Sequence, residues 1–129
     1  MIKVVAAMIM KDGKVFIARR KTGDASVIYK WEFPGGKVEE NENEFDAIER
    51  EIKEEFNVLV KAKKFIINNI YEYPNKTVDL RLYECDYLKG DFIPHDHKEF
   101  CWVDIDDLID YDLAPADIFL ANYIINMYK

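Results

Sequence analysis

The chain has 129 residues, half of them apolar and 14% aromatic, which predicts one folded domain spanning residues 1–129 and argues against disorder. Its 18 basic and 25 acidic residues give a formal net charge of −7, which disfavours a surface that grips a nucleic-acid polymer or an anionic membrane. A small anionic substrate stays compatible, because a bound divalent metal can reverse the local sign. The N-terminal apolar run is shorter than the ~20 residues of a membrane span and lacks the marks of a signal peptide. We therefore expect a cytoplasmic protein with no membrane partner.

The first part of the chain predicts two strands, a loop and a short extended piece. Apolar, β-branched residues indicate a buried strand over 2–10, and a turn leads into a second strand over 15–18. Residues 21–30 are polar and predict a loop, and residues 31–33 are extended. The Pro-Gly-Gly sequence at 34–36 is expected to end that piece sharply, because proline lacks a donor and glycine allows positive φ.

A helix is predicted over residues 42–56, where apolar residues recur at spacings of three and four, as Phe45, Ile48, Ile52 and Phe56. The following elements are strands near 58–72, 77–87 and 100–103, a loop over 92–98, and helices over 104–108 and 115–127. Strands, a helix, more strands and a final helix in this order predict an α/β fold in which helices pack on a mixed sheet.

Three glutamates, Glu51, Glu54 and Glu55, crowd the end of the predicted helix, where the helix dipole disfavours carboxylates. At about 100° per residue they fall within an arc of about 100° beside the apolar stripe. A solvated acidic face would explain them. A hard-cation site would also explain them, because several carboxylate oxygens on one rigid element bind Mg²⁺ or Mn²⁺. The glycine pair at 35–36 favours the cation site, because it exposes backbone groups close to the helix start.

The spacing of these residues is specific. Gly36 is followed by five residues, Glu42, seven residues and then the sequence REIKEEFNV at 50–58. This segment resembles the Nudix box, G-x5-E-x7-R-E-U-x-E-E-x-G-U with U apolar, and departs from it only at Asn57, where the family has glycine. Asparagine is the usual second choice for the left-handed position after a helix, so the departure puts little in doubt.

The resemblance extends beyond the box. The sequence WEFPGGKVE at 31–39 and the opening strand pair are similar to MutT-type members, the nucleoside triphosphate pyrophosphohydrolases. The sequence LAPADI at 113–118 is most similar to their bacterial branch of CTP pyrophosphohydrolases and 8-oxo-dGTP diphosphatases. The implied fold is the Nudix-type α/β/α sandwich with a central mixed β-sheet.

The resemblance also implies roles for the residues of the box. Divalent metal, Mg²⁺ or Mn²⁺, would be held by Glu51, Glu54, Glu55 and the carbonyl of Gly36. The catalytic assignments within the box are Glu54, Glu51 and Arg50, with Arg50 orienting a glutamate. Glu42 would pair with Arg50 and serve the structure rather than the chemistry.

A further carboxylate is expected from a late loop, because family members often place one about six residues before a tryptophan. Counting back from Trp102 gives Asp96, as a metal ligand or general base, and Glu99 is the second candidate. A solvated loop acid is the alternative for Asp96.

The histidines and cysteines give weaker indications. His95, His97 and Cys101 form a conceivable zinc cluster, but no fourth ligand stands at a usual spacing, so we expect surface histidines instead. Cys85 and Cys101 include no CxxC motif and are expected to be reduced and mostly buried.

Five residues are expected to bind the substrate. Arg20 ends a strand that leads toward the phosphates in similar enzymes and would clamp one of them, unless it is a plain surface arginine. Asp117 matches the position of a base-reading Asn or Asp; it would accept from an exocyclic amine and would also donate if protonated. Its alternative role is helix capping. Phe33, Lys76 and Val78 would line the base pocket.

The implied function is Mg²⁺-dependent hydrolysis of a nucleoside triphosphate to the monophosphate and pyrophosphate. The expected substrate is (d)CTP, a 5-substituted form of it, or 8-oxo-dGTP. A dinucleotide, nucleotide sugar or capped RNA is the alternative within the enzyme class, and a non-catalytic nucleotide-binding Nudix module is the alternative outside it. The intact glutamates of the box favour an enzyme. The expected partner is a small nucleotide, and the sequence leaves a homodimer open.

Overall fold

The computed structural model describes residues 1–128, and within them it confirms the predicted mixed α/β class. The strands are β1 (Ile2–Lys11), β2 (Lys14–Arg20), β3 (Trp31–Glu32), β4 (Gly35–Lys37), β5 (Leu59–Tyr73), β6 (Lys76–Lys89) and β7 (His97–Asp104). The α-helices are α1 (Glu44–Phe56) and α2 (Pro115–Met127). The helix predicted over 104–108 is a 3₁₀ helix, Ile105–Asp110. No helix within residues 1–128 has the length and apolar character that a membrane crossing requires.

The seven described strands form one sheet, with the order β3-β2-β1-β6-β5 along its main path. Strands β1 and β6 are parallel, and all other pairs are antiparallel, so the sheet is mixed as predicted. Strand β4 pairs with β1, and β7 pairs with β2. Terminal residues of β2, β3, β4 and β7, namely Arg20, Glu32, Gly35 and His97, line one cavity together.

Helices cover both faces of the sheet, which gives the predicted α/β/α layers. Alternate residues of β1 point to opposite faces: Val5, Ala7 and Ile9 pack in one core with α1, and Ala6 and Met8 in the other, beside α2. Helix α1 buries Ala47, Ile48, Ile52 and Phe56. Helix α2 buries Leu120, Ala121 and Ile124 on the other face.

Helix α1 begins two residues later than predicted. Asn43 caps it, and its side chain accepts from the N–H of Asp46 at 2.8 Å, so Glu42 lies before the helix. Phe45 was expected on the buried stripe but is 43% exposed, because it lies at the helix edge against the ring of Tyr83. Asn57 ends the helix at φ 59° and ψ 36°, which confirms the left-handed position expected of it.

The Pro-Gly-Gly sequence at 34–36 fits its prediction in part. The extended segment β3 ends at Glu32 and the chain bends at Pro34, but the two glycines then form β4, antiparallel to β1, and neither has positive φ. What Gly35 supplies is close approach, since a Cβ there would lie 1.9 Å from the carbonyl oxygen of Val5. The two cysteines are free as expected, Cys85 buried and Cys101 half-buried.

Candidate active site

Arg50 organises the acidic end of α1. Its Nε and Nη2 donate to the two oxygens of Glu42 at 2.7 and 2.9 Å, a bidentate pair. Its Nη1 donates to Glu51 at 3.0 Å and to Glu54 at 3.2 Å, and Nη2 also reaches the carbonyl of Lys37 at 3.2 Å. The hydrogen bonds from Arg50 lower the pKa of Glu42 to about 2. One guanidinium therefore hydrogen-bonds three carboxylates, and its Nη1 also lies 3.4 Å from Oε1 of Glu39.

Glu55 is not hydrogen-bonded to Arg50 and has the most perturbed carboxyl group of the helix. Its side chain is 19% exposed, and the buried Oε2 has no hydrogen-bond partner among residues 1–128. Burial, followed by the negative charges of Glu32 and Glu51, raises the pKa of Glu55 to about 9. A buried carboxylate without a partner is costly, so this group requires either a proton or a cation.

Gly36 brings strand β4 against Glu51. A Cβ at Gly36 would lie 2.4 Å from the carboxyl carbon of Glu51, so a side chain there would displace that carboxyl group. These residues suit a hard divalent cation such as Mg²⁺ or Mn²⁺. The donors are all oxygens, one oxygen of Glu55 has no partner, and the backbone of Gly36 lies close to Glu51. No three acidic, histidine or cysteine side chains within residues 1–128 already converge as a metal site, and Arg50 engages Glu51 and Glu54 instead.

A cleft runs from this acidic end along the sheet. Its first part, about 260 Å³, is lined by Gly36, Phe33, Glu55, Asp96 and His97, among others. Its second part, about 120 Å³, is lined by Tyr73, Lys76 and Val78, among others. Arg20, Glu32 and Asp117 line both parts and join them. Glu51 and Glu54 do not line the cleft.

The late loop contributes Asp96 and not Glu99 to this cleft. Asp96 lines the first part, and its charge is one of the influences on the Glu55 carboxyl. Glu99 lies elsewhere, in an exposed ion pair with Nη1 of Arg19 at 3.1 Å. Of the two candidate acids that precede Trp102, the structure therefore places Asp96 in the cleft and Glu99 outside it.

Two residues of the cleft, Glu32 and His97, were not identified as site residues from the sequence. Nη1 of Arg20 donates to Oε1 of Glu32 at 3.1 Å, and Nε2 of His97 lies 2.8 Å from Oε2. The expectation of a surface histidine is wrong for His97, which is 6% exposed because β7 begins there and pairs it with Arg20. The signal for Glu32 was its place as a lone acid between Trp31 and Phe33.

Asp117 is buried where the two parts of the cleft meet. Its Oδ2 accepts from the N–H of Phe33 at 3.0 Å, and burial, together with the charge of Glu32, raises its pKa well above the ordinary range. The capping alternative is wrong, because α2 begins after Ala114 without any side-chain cap.

The other expected substrate residues differ in exposure. Phe33 and Val78 line the cleft but are buried, whereas Lys76 lines it and is exposed. The side chain of Arg20 is 34% exposed and engages Glu32, so it is not a free surface arginine.

Known proteins are similar to this chain in sequence and in fold. Residues 1–124 match the family model described as NUDIX domain. A CTP pyrophosphohydrolase of Escherichia coli K12 is 33% identical over 118 residues, which cover 92% of this chain and 87% of that protein. A putative 8-oxo-dGTP diphosphatase 2 of Mycobacterium tuberculosis is 35% identical over 116 residues, covering 88% of this chain and 81% of that protein.

A solved structure agrees with these matches. The solution structure of the E. coli ORF135 protein superposes with a TM-score of 0.88 at 32% identity, over 99% of this chain and 91% of that one. Sequence and fold therefore point to the same group of proteins.

Proposed function

The chain belongs to the Nudix family, and we propose that it hydrolyses a nucleoside triphosphate, (d)CTP-like or 8-oxo-dGTP, to the monophosphate and pyrophosphate with Mg²⁺ or Mn²⁺. That it is a hydrolase of phosphoanhydride bonds follows from the family and its named relatives. One observation carries the finer proposal: a single cleft has the partnerless carboxyl group of Glu55 in its first part and the buried Asp117 where its two parts meet, beside apolar residues. This arrangement suits a ligand with polyphosphate at one end and a base at the other.

At the acidic end, the proposed metal ligands are Glu51, Glu54, Glu55 and the carbonyl of Gly36. A divalent metal, when bound, would neutralise triphosphate charge and promote ionisation of a water. Arg50 keeps Glu51 and Glu54 beside each other on α1 and would orient them.

Asp96 and Arg20 are the proposed polar groups around the phosphates. Asp96 lies in the same part of the cleft as Glu55, which suits a general base for the attacking water or a further metal ligand. Arg20 uses one N–H on Glu32 and one on the carbonyl of Thr22, so other guanidinium N–H groups remain for a phosphate.

At the middle of the cleft, Glu32 and Asp117 would read the base. The raised pKa of Asp117 favours its protonated form, which donates one hydrogen bond, whereas an ionised Glu32 only accepts. A base edge with an amino donor next to a ring acceptor, as in cytosine, complements such a pair. Phe33 and Val78 give the apolar wall, and Lys76 closes the rim.

The proposed partner is a free nucleotide rather than a polymer. The net charge of −7 and the acidic lining of the cleft oppose a polyanionic strand, whereas a single triphosphate accompanied by metal carries far less charge into the site.

The test is pyrophosphate release with Mg²⁺ across a panel of CTP, dCTP, 5-methyl-dCTP, dGTP, 8-oxo-dGTP, dATP and a nucleotide sugar. We expect a preference for a cytosine triphosphate or 8-oxo-dGTP, abolished by Glu54→Gln combined with Glu55→Gln, because charged ligands supply several kcal/mol. Turnover of the sugar alone, or turnover within about threefold of wild type in the double variant, would refute the proposal.

A further inference from the structure

His97 lies in the first part of the cleft, between Glu32 and Glu55, and the proposed function gives it no role. Its Nε2 lies 2.8 Å from Oε2 of Glu32, and its Nδ1 lies 3.6 Å from Oε2 of Glu55. The side chain is 6% exposed, and neither Nδ1 nor Oε2 of Glu55 has a hydrogen-bond partner among residues 1–128. One buried imidazole therefore faces a base-reading carboxylate with one nitrogen and a metal-binding carboxylate with the other.

The ring of His97 has little freedom to move. It stacks on the ring of Phe56, the last residue of α1, with centroids 5.1 Å apart and planes inclined by 24°. Its backbone opens β7 opposite Arg20. Two N–H groups of the preceding loop donate to the last carbonyls of α1 at 2.9 and 3.0 Å. The ring, and the loop that leads to it, are thus fixed to the helix that carries Glu55.

The orientation of Glu32 depends on this ring. Arg20 holds Oε1 of Glu32, and His97 holds Oε2, so the carboxylate is fixed at both oxygens. Without the His97 contact, Glu32 would follow Arg20 alone. Because Arg20 is also the proposed phosphate ligand, the carboxylate would then shift when substrate binds.

We propose that His97 is a positioning residue that fixes Glu32 and Glu55 to one rigid ring and so ties base selection to metal binding. This inference rests on the proposed function for the roles of those two carboxylates. It predicts that each nitrogen of His97 serves a separate property of the enzyme: Nε2 serves selectivity for the base, and Nδ1 serves affinity for the metal.

Three variants separate the two nitrogens. The amide nitrogen of glutamine occupies the place of Nε2 of histidine, and that of asparagine occupies the place of Nδ1. His97→Gln therefore keeps the contact to Glu32, His97→Asn keeps a nitrogen facing Glu55, and His97→Phe keeps only the stacking ring. His95→Gln is the matched control, because the side chain of His95 is exposed.

Two readouts are measured for each variant: the Kd of the nucleotide-free protein for Mn²⁺ by electron paramagnetic resonance, and the ratio of kcat/KM for CTP to that for 8-oxo-dGTP. Groups that orient metal ligands are worth about 10- to 100-fold in affinity or activity. We expect His97→Gln to weaken Mn²⁺ binding with the ratio unchanged, and His97→Asn to change the ratio with Mn²⁺ binding unchanged. His97→Phe should change both, by about tenfold or more, and His95→Gln neither.

The inference is overturned if the glutamine and asparagine variants behave alike, if both match wild type, or if wild type binds no Mn²⁺. A merely structural role would lower the thermal stability of the variants without separating the readouts. Failure of the proposed function gives a different result, namely no pyrophosphate release from any triphosphate by wild type. In that case Mn²⁺ binding alone decides the inference, and it must weaken in His97→Gln and not in His97→Asn.

Discussion

At Gly36 any side chain would compete with the carboxyl group of Glu51, which fills the space that a Cβ would take. We expect Gly36→Ala to fold but to displace Glu51 from Arg50, with a loss of at least about tenfold in Mn²⁺ affinity and in pyrophosphate release. Circular dichroism, Mn²⁺ titration and the release assay measure these properties on one sample.

Gly35→Ala is the informative comparison for this variant. There a Cβ would meet the backbone carbonyl of Val5 at 1.9 Å, which no side-chain rotation can relieve, so the pairing of β1 with β4 must break. We expect Gly35→Ala to reduce the fraction of protein that folds, rather than to weaken the metal affinity of the folded protein. A Gly36→Ala protein with wild-type activity would show that Glu51 need not stay where the structure places it.

The buried carboxyl of Asp117 makes stability depend on pH. Its pKa is raised in the folded protein, so folding favours the protonated form, and stability is lost as pH rises from the ordinary Asp value toward the raised one. Asp117→Asn removes this titration while keeping an oxygen for the N–H of Phe33. The variant should therefore be more stable than wild type at pH 8, with the difference shrinking toward pH 4.

Urea unfolding of wild type and Asp117→Asn at pH 4, 6 and 8 measures this dependence. Equal slopes of stability against pH in the two proteins would contradict it. We expect activity and base selectivity to fall by similar factors in Asp117→Asn, because asparagine presents a fixed amide where the carboxyl group donates through its proton.

At the scale of the element, the end of α1 depends on a left-handed residue. Asn57 has φ 59°, and its N–H donates to the carbonyl of Lys53 at 3.0 Å. Glycine adopts this conformation without cost, whereas alanine pays about 1 kcal/mol. Asn57→Gly should thus match or slightly exceed wild type in stability, and Asn57→Ala should lose about 1 kcal/mol.

Chemical denaturation measures both variants, with Asn126→Ala on the exposed face of α2 as the matched control. That control should be neutral or mildly stabilising, because alanine has the higher helix propensity. An Asn57→Ala protein as stable as the control would mean that the left-handed residue is not a constraint. A small difference between Asn57→Gly and wild type would explain how the chain tolerates asparagine where the Nudix box has glycine.

Elements with a strong local pattern were predictable, and elements defined by their partners were not. The apolar spacing of α1 and the continuous apolar run of β1 are local, so both were found to within about two residues of their bounds. Strand β7 was placed three residues late, because its first pair, His97 with Arg20, follows a register shift in β2. Such a register shift cannot be predicted from a local sequence pattern.

The same distinction holds for the whole site. The residues from Gly36 to Glu55 lie within one segment, so their spacing alone suggested a metal site. Glu32 and His97 are 65 positions apart and meet only because β3 and β7 both pair with β2. The resemblance to the Nudix box does not predict the contact between Glu32 and His97, because that contact depends on the order of the strands in the sheet.

At the scale of the whole molecule, the partnerless carboxylate of Glu55 should lower the stability of the metal-free protein. Its burial among Glu32, Glu51 and Asp96 is unfavourable until a cation or a proton compensates it. A ligand that binds only the folded state adds RT ln(1 + [L]/Kd), about 2.7 kcal/mol at a hundredfold excess over Kd. For a domain of this size that is a rise in Tm of roughly 10 °C.

Glu55→Gln tests this coupling between site and global stability, because a neutral amide needs no cation. The metal-free variant should melt at a higher temperature than metal-free wild type, and Mg²⁺ or Mn²⁺ should raise its Tm far less. Calorimetric melting with EDTA and with excess metal gives the four values required. If metal raises the Tm of both proteins equally, Glu55 is not a ligand; if it raises the Tm of neither, the folded protein binds no cation under these conditions and the proposed metal site is wrong. The expected pattern is one in which the substitution that disables catalysis also stabilises the fold, because the buried charge serves function at the expense of stability.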